Sequence, residues 1–73
     1  MDVYTILAIN LKLIRIAMKE SQEEFAFHCG ISLKTLSKYE RGCGNPRLST
    51  LISIAAYVGC EPADLVDEEK AKG

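Results

Sequence analysis

Lys34 and Lys38 stand four residues apart, and each follows a neighbour of different chemistry, Leu33 and Ser37. In a helix that spacing gathers all four on adjoining rows of one side. An ammonium group can donate to guanine O6 and N7, a hydroxyl can bond either kind of base edge, and an apolar side chain can meet a thymine methyl. The element that would carry them runs from Gly30 to Gly42. Ser32 can cap its start, Gly42 can stop it, and Leu36 and Tyr39, one turn apart, can face a core. Leu33, Lys34, Ser37 and Lys38 are then left outside as a mostly polar, twice-basic face. A short helix of this kind fits the DNA major groove, about 12 Å wide. An ordinary surface helix with solvated lysines has the same composition, so the flanking segments decide its role.

Upstream, residues 3 to 18 have a helical pattern. Val3, Leu7, Leu11, Ile14 and Met18 share the stripe expected to face the core, beside a polar wedge of Lys12, Arg15 and Lys19. Ile6, Ile9, Leu13 and Ile16 form a second apolar stripe on the opposite side, which calls for a second partner and makes self-association one reading of this face. Ser21 and Glu24 make a capping box that starts the next helix. Phe25, Ala26 and Cys29 are its inward face, Phe27 points out, His28 is a solvated surface residue, and Gly30 permits the left-handed turn.

Downstream, Cys43-Gly44-Asn45-Pro46 is a turn. Leu48, Leu51, Ile54, Ala55 and Val58 then recur at helical spacing up to a stop at Gly59, with Ile52, Ala56 and Tyr57 off the core stripe. Pro62 suits the first position of a last short helix that turns Leu65 inward. Residues 67–73 carry charge without apolar periodicity and are expected to fray. The expected organisation is one domain over residues 1–66 and a short charged tail.

Composition narrows the class. With 73 residues, 48% of them hydrophobic, the chain can build one small all-α core, and dimerisation would assist a chain this short. Cys29, Cys43 and Cys60 form no CxxC pair and no zinc spacing with His28, so they are expected as reduced thiols, with neither metal nor cofactor. One histidine without a nucleophile–base constellation speaks against an enzyme. The chain leaves no room for a ligand-sensing module, so no small-molecule ligand is expected. No apolar run is long enough to span a membrane and no signal peptide is present, so a cytoplasmic protein is expected. The net charge of −1 conceals a polarised chain. Residues 32–47 hold Lys34, Lys38, Arg41 and Arg47 against Glu40 alone, whereas the acidic end from Glu61 sets five carboxylates against two lysines. That distribution suits a small groove-docking face better than a broad phosphate-binding surface.

Helix, glycine turn and helix follow one another across Gln22, Gly30 and Gly42 as in a helix-turn-helix. The segments Ser21-Gln-Glu-Glu-Phe-Ala, Gly30-Ile-Ser, Leu36-Ser-Lys-Tyr-Glu-Arg-Gly and Asn45-Pro, with Leu51 and Ile54-Ala55, resemble the lambda-repressor/Cro-like family, also called XRE-type, from Leu7 to Val66. The resemblance implies a compact five-helix fold that binds double-stranded DNA. It places Leu33, Lys34, Ser37 and Lys38 at base-reading positions and Gln22 at a phosphate contact that also braces the reading side chains. Ser32 and Thr35 would reach phosphate with hydroxyls, Arg47 matches a position used for the backbone or the minor groove, and Arg15 and Glu40 would pair to tie the first helix to the reading helix. By its charge, Arg41 can add a phosphate contact. Two departures stand out. Lys19-Glu20 replaces the Gly-Leu common in relatives, implying a looser turn without one staple contact, and Cys43-Gly44 lies where cations are frequent.

The implied function is a transcription regulator, a repressor among the options, acting as a homodimer on a palindromic operator in a prokaryote or phage. In many small relatives the last two helices make the two-fold contact, which here means Ile52, Ala56, Tyr57 and the Glu61–Val66 region. The rival surface is the second stripe of the first helix, with Ile9 and Leu13. Phage repressors, restriction–modification controllers and antitoxins share this layout. A protein-interaction module, such as an antitoxin whose main partner is a toxin, is the alternative function.

Overall fold

Asp2 sets where the first helix begins: its carboxylate accepts from the Thr5 amide at 3.0 Å, satisfying a donor that the helix itself leaves open. The computed structural model describes residues 1–72. Helix α1 spans Val3–Ala17, α2 Gln22–Cys29, α3 Leu33–Glu40 and α4 Leu48–Val58; a 3-10 turn at Pro62–Val66 precedes a short α5 at Glu68–Lys72. Among the described residues there is no strand. Five α-helices agree with the expected fold class, although the segment expected as the last helix at Pro62 winds as 3-10.

Local chemistry explains most boundaries. Ser21 Oγ accepts from the Glu24 amide at 3.1 Å, and the Glu24 carboxylate accepts from the Ser21 amide at 2.9 Å. Gly30 (φ 76°) ends α2 in the left-handed region and donates its N–H back to Ala26 and Phe27. Gly44 is required by close approach rather than by φ: a Cβ there would lie 2.2 Å from the Tyr39 ring. The turn after α3 is thus moulded onto that ring.

Leu11, Phe25, Leu36, Ile54 and Leu65 are the largest fully buried side chains, one each from α1, α2, α3, α4 and the 3-10 turn. They meet in a single cluster with Leu7, Ala26, Cys29, Tyr39 and Ala55. Asn10 is buried beside them and donates its amide to the carbonyls of Leu65 and Asp67, both at 3.1 Å, tying the 3-10 turn to α1. Burial also pushes the Cys29 thiol up to about 11.

Several positions depart from the sequence reading. The buried arc of α1 is Ile6, Leu7, Ala8, Asn10 and Leu11, because α3 covers one side of the helix and the 3-10 turn and α5 another. Val3 and Met18, at its two ends, are exposed. Leu48 is 68% exposed: it opens α4, which is packed through Ile54 and Ala55 on α2 and the 3-10 turn, further along. Where a frayed tail was expected, α5 lies against α1; Gly73, part of the same expectation, is outside the described residues.

The turn between α1 and α2 is closed rather than loose. Lys19 takes φ 59°, the conformation a glycine would adopt there more easily. Its amide donates to Ile16, the Glu20 amide donates to Arg15, and Arg15 Nη1 returns a bond to the Glu20 carbonyl at 3.0 Å. The apolar staple is replaced by a polar one. The Glu20 carboxylate accepts from the Tyr57 hydroxyl and lies 2.8 Å from His28 Nδ1, which is 3.0 Å from Tyr57 Oη. The Tyr57 ring meets Phe25 edge-on at 5.8 Å. His28 is therefore tied into the chain although half its side chain meets solvent, and Tyr57 faces inward instead of offering a free surface.

Candidate nucleic-acid interface

The reading side of α3 follows from what its other side does. Leu36 and Tyr39 are buried, so Leu33, Lys34 and Lys38 face solvent and Ser37 lies half-buried between them. No ion pair among the described residues involves Lys34 or Lys38. Both ammonium groups are thus available to an anionic or acceptor-rich partner.

At the start of α3 the two hydroxyls have different tasks. Ser32 Oγ accepts from the Thr35 amide at 3.0 Å and gives its own proton to Thr35 Oγ1 at 2.8 Å. Ser32 is committed to capping, whereas the Thr35 hydroxyl keeps a proton it can donate outward.

At the other end, Glu40 is 5% exposed and ionised. Arg15 grips it with Nε at 2.7 Å and Nη2 at 3.0 Å, and Gln22 Nε2 donates to it at 3.1 Å. Burial alone would push the Glu40 carboxyl up, but the hydrogen bonds from Arg15 and Gln22 and the Arg15 charge outweigh it and hold the group below the usual glutamate range. The same pairing raises Arg15 further above its ordinary value. One buried carboxylate therefore joins α1, the first residue of α2 and the last residue of α3. Gln22 braces the end of α3 through Glu40, and its amide keeps a second N–H and its carbonyl for an outside partner.

The remaining cations are more dispersed. Arg41 is exposed and folds back to donate Nε to the Ser37 carbonyl at 3.3 Å. Arg47 stands apart at the N-cap of α4, exposed and without a side-chain capping bond. The structure thus gathers Leu33, Lys34, Ser37, Lys38, Thr35 and Gln22 around α3, leaving Arg47 on a separate element. Sequence reasoning missed the Glu20–His28–Tyr57 cluster; the substitution of an acid for the usual leucine at position 20 was its only signal.

Among described residues no helix is long and apolar enough to cross a membrane. A rigid helix with a two-lysine face, clamped at its C-terminal end and capped at its start, has the form of a groove-reading element. Similar proteins share the fold. A hypothetical transcription factor from Neisseria meningitidis serogroup B is 38% identical over 58 residues, a segment that is 80% of this chain but 55% of that protein. The crystal structure of the hypothetical transcription factor NHTF from Neisseria is similar with a TM-score of 0.87 at 34% identity, covering 97% of this chain and 84% of that one. The restriction-modification controller protein C.AhdI from Aeromonas hydrophila gives a TM-score of 0.79 at 29% identity, over 85% of this chain and 94% of that one. The helix-turn-helix family model matches residues 11–65, which span α2, α3 and α4 entire. This chain belongs to the helix-turn-helix family of the lambda-repressor/Cro-like, XRE type.

Proposed function

We propose that the chain is a sequence-specific DNA-binding transcription regulator that reads a palindromic operator as a homodimer, with α3 in the major groove. The observation that carries this reading is the buried Glu40 clamp, which holds α3 with Leu33, Lys34 and Lys38 exposed and Ser37 half-buried between them. Lys34 and Lys38 donate to base acceptors, Leu33 meets a thymine methyl and Ser37 adds a short hydroxyl contact. Gln22, Thr35, Arg41 and Arg47 position the domain on phosphate. The likeness to a restriction–modification controller supports that kind of role among small regulators of this layout, acting on DNA in the cytoplasm.

A palindrome needs two reading helices about 34 Å apart. The α4 surface supports the two-fold contact. Leu48, Ile52 and Ala56 recur every four residues along it, all exposed, and α4 contains no charged residue, so two copies can bury this stripe without desolvating a charge. Tyr57, turned inward, contributes less than its place in the sequence suggests.

Selection of bound sequences from a random duplex pool tests the proposal. Two inverted half-sites with centres one helical turn apart are expected. Enrichment of no palindrome, or binding that is unchanged when Lys34 and Lys38 both become Ala, would overturn it.

A further inference from the structure

Of the second apolar stripe of α1, Ile6 is buried but the remainder stays uncovered. Leu13 is 50% and Ile16 58% exposed, with Ile9 half-buried beside them, along a groove of about 310 Å³ between α1 and the C-terminal end of α3. Gly42 also lines it, together with the exposed cations Lys12 and Arg41. Neither cation has a carboxylate partner among the described residues. Glu40 also lines the groove, but its oxygens are held by Arg15 and Gln22. The groove thus offers an apolar lining with two exposed cations that no salt bridge among the described residues holds.

We infer that this groove docks an acidic amphipathic segment of a different protein, with leucine-like side chains on the α1 stripe and carboxylates against Lys12 and Arg41. Charge decides among the occupants. A DNA backbone would satisfy the cations but gives Ile9, Leu13 and Ile16 nothing to bury against. A second copy packed two-fold across this face would bring two sets of Lys12 and Arg41 into one interface, whereas the uncharged α4 stripe has no such conflict. The open course of the groove along a helix suits a segment laid into it, with anchors spaced by three and four residues. The groove lies apart from Leu33, Lys34, Ser37 and Lys38 and shares only Arg41 with the phosphate contacts proposed above, so docking and base reading fail separately.

The test uses the full chain and two synthetic helical peptides with the same leucine pattern, one flanked by glutamates and the other by lysines. Nitrogen–proton correlation spectra locate each peptide, and fluorescence anisotropy gives its affinity. The glutamate peptide is expected to shift the amides of Ile9, Leu13, Ile16 and Gly42 and to bind at least about tenfold tighter than the lysine peptide. The double substitution Leu13→Glu with Ile16→Glu should abolish that binding while helicity and the base preference of DNA binding stay unchanged. The inference is overturned if the glutamate peptide does not bind, if both peptides bind alike, or if the shifts map to Leu48 and Ile52. It is also overturned if the double substitution lowers the chain's mass in sedimentation equilibrium, because a second copy is then the occupant.

Discussion

Arg15 and Glu40, twenty-five positions apart, meet through two parallel N–H···O contacts of 2.7 and 3.0 Å, with the carboxylate almost wholly out of water. Replacing Arg15 with Met removes the partner and leaves a buried charge behind, a loss of about 3 kcal/mol in comparable pairs. In a domain this small that corresponds to a melting temperature lower by roughly 12–24 °C, read by circular dichroism. Arg15→Met combined with Glu40→Leu should regain much of the loss, since an apolar pair of similar volume needs no compensating charge. If the double variant melts no higher than the single one, the clamp is not a pairwise unit.

The pH dependence has a definite sign. Glu20 lies below the ordinary glutamate range because it accepts from Tyr57 and pairs with His28, and Glu40 lies below it because Arg15 and Gln22 outweigh its burial. The folded chain therefore binds these protons more weakly than the unfolded chain. The stability they lend is complete above about pH 5 and disappears as pH falls through the ordinary glutamate value toward the lowered ones. Urea midpoints measured between pH 7 and pH 3 should fall steeply for the native sequence and less for Glu40→Gln. Tyr57 behaves in the opposite sense. Its hydrogen bond to Glu20 pushes it up to about 12, so its contribution is present below the ordinary tyrosine range and lost as pH rises toward that value. Absorbance titration should show a late ionisation from Tyr57, and Glu20→Gln should bring it down.

How far these features are legible in the sequence depends on how local they are. The capping of α2 by Ser21 and of α3 by Ser32, and the glycine stops at Gly30 and Gly59, involve residues a turn apart and can be read from spacing alone. The outward face of α3 follows by elimination once Leu36 and Tyr39 are taken inward. Leu48 and Val3, expected inward, are exposed, because periodicity gives a side but not whether a neighbour reaches that end of the helix. Glu20–Tyr57 and Asn10–Leu65 join residues 37 and 55 positions apart, distances over which helical spacing carries no information.

Gly44 tests how tightly the turn after α3 is fitted. An alanine Cβ would meet the Tyr39 ring at 2.2 Å, and that ring is buried. Overpacking of this kind is expected to destabilise by about 1–3 kcal/mol. Thermal melting of Gly44→Ala checks it, and Gly44→Ala with Tyr39→Leu should recover part of the loss.

Base readers and phosphate contacts leave different signatures in DNA binding. Lys34→Ala or Lys38→Ala should weaken the selected site by about 1–3 kcal/mol each and relax preference at one base pair. Arg47→Ala should weaken all sequences alike and make the slope of log K against log salt shallower by about 0.9. Titrations at several salt concentrations, with selected and scrambled duplexes, separate the two classes.

The two-fold contact proposed on α4 predicts that Ile52→Glu gives a monomer in sedimentation equilibrium. The fold should persist, since Ile52 is half exposed. Operator affinity should then fall with retention of the half-site preference. A variant that keeps the mass of the native protein would place the contact elsewhere.

Each of the five elements α1, α2, α3, α4 and the 3-10 turn contributes at least one fully buried side chain to the same cluster. An isolated helix as short as α3 has little stability in water, and lifting it away would empty the position of Leu36 and break the Glu40 clamp together. Amide protons along α3 should therefore exchange with solvent only when the whole domain opens, at the slowest rate in the molecule. The helix that meets DNA is then a fixed template, and a sequence that does not match it meets a misfit rather than a surface able to adjust.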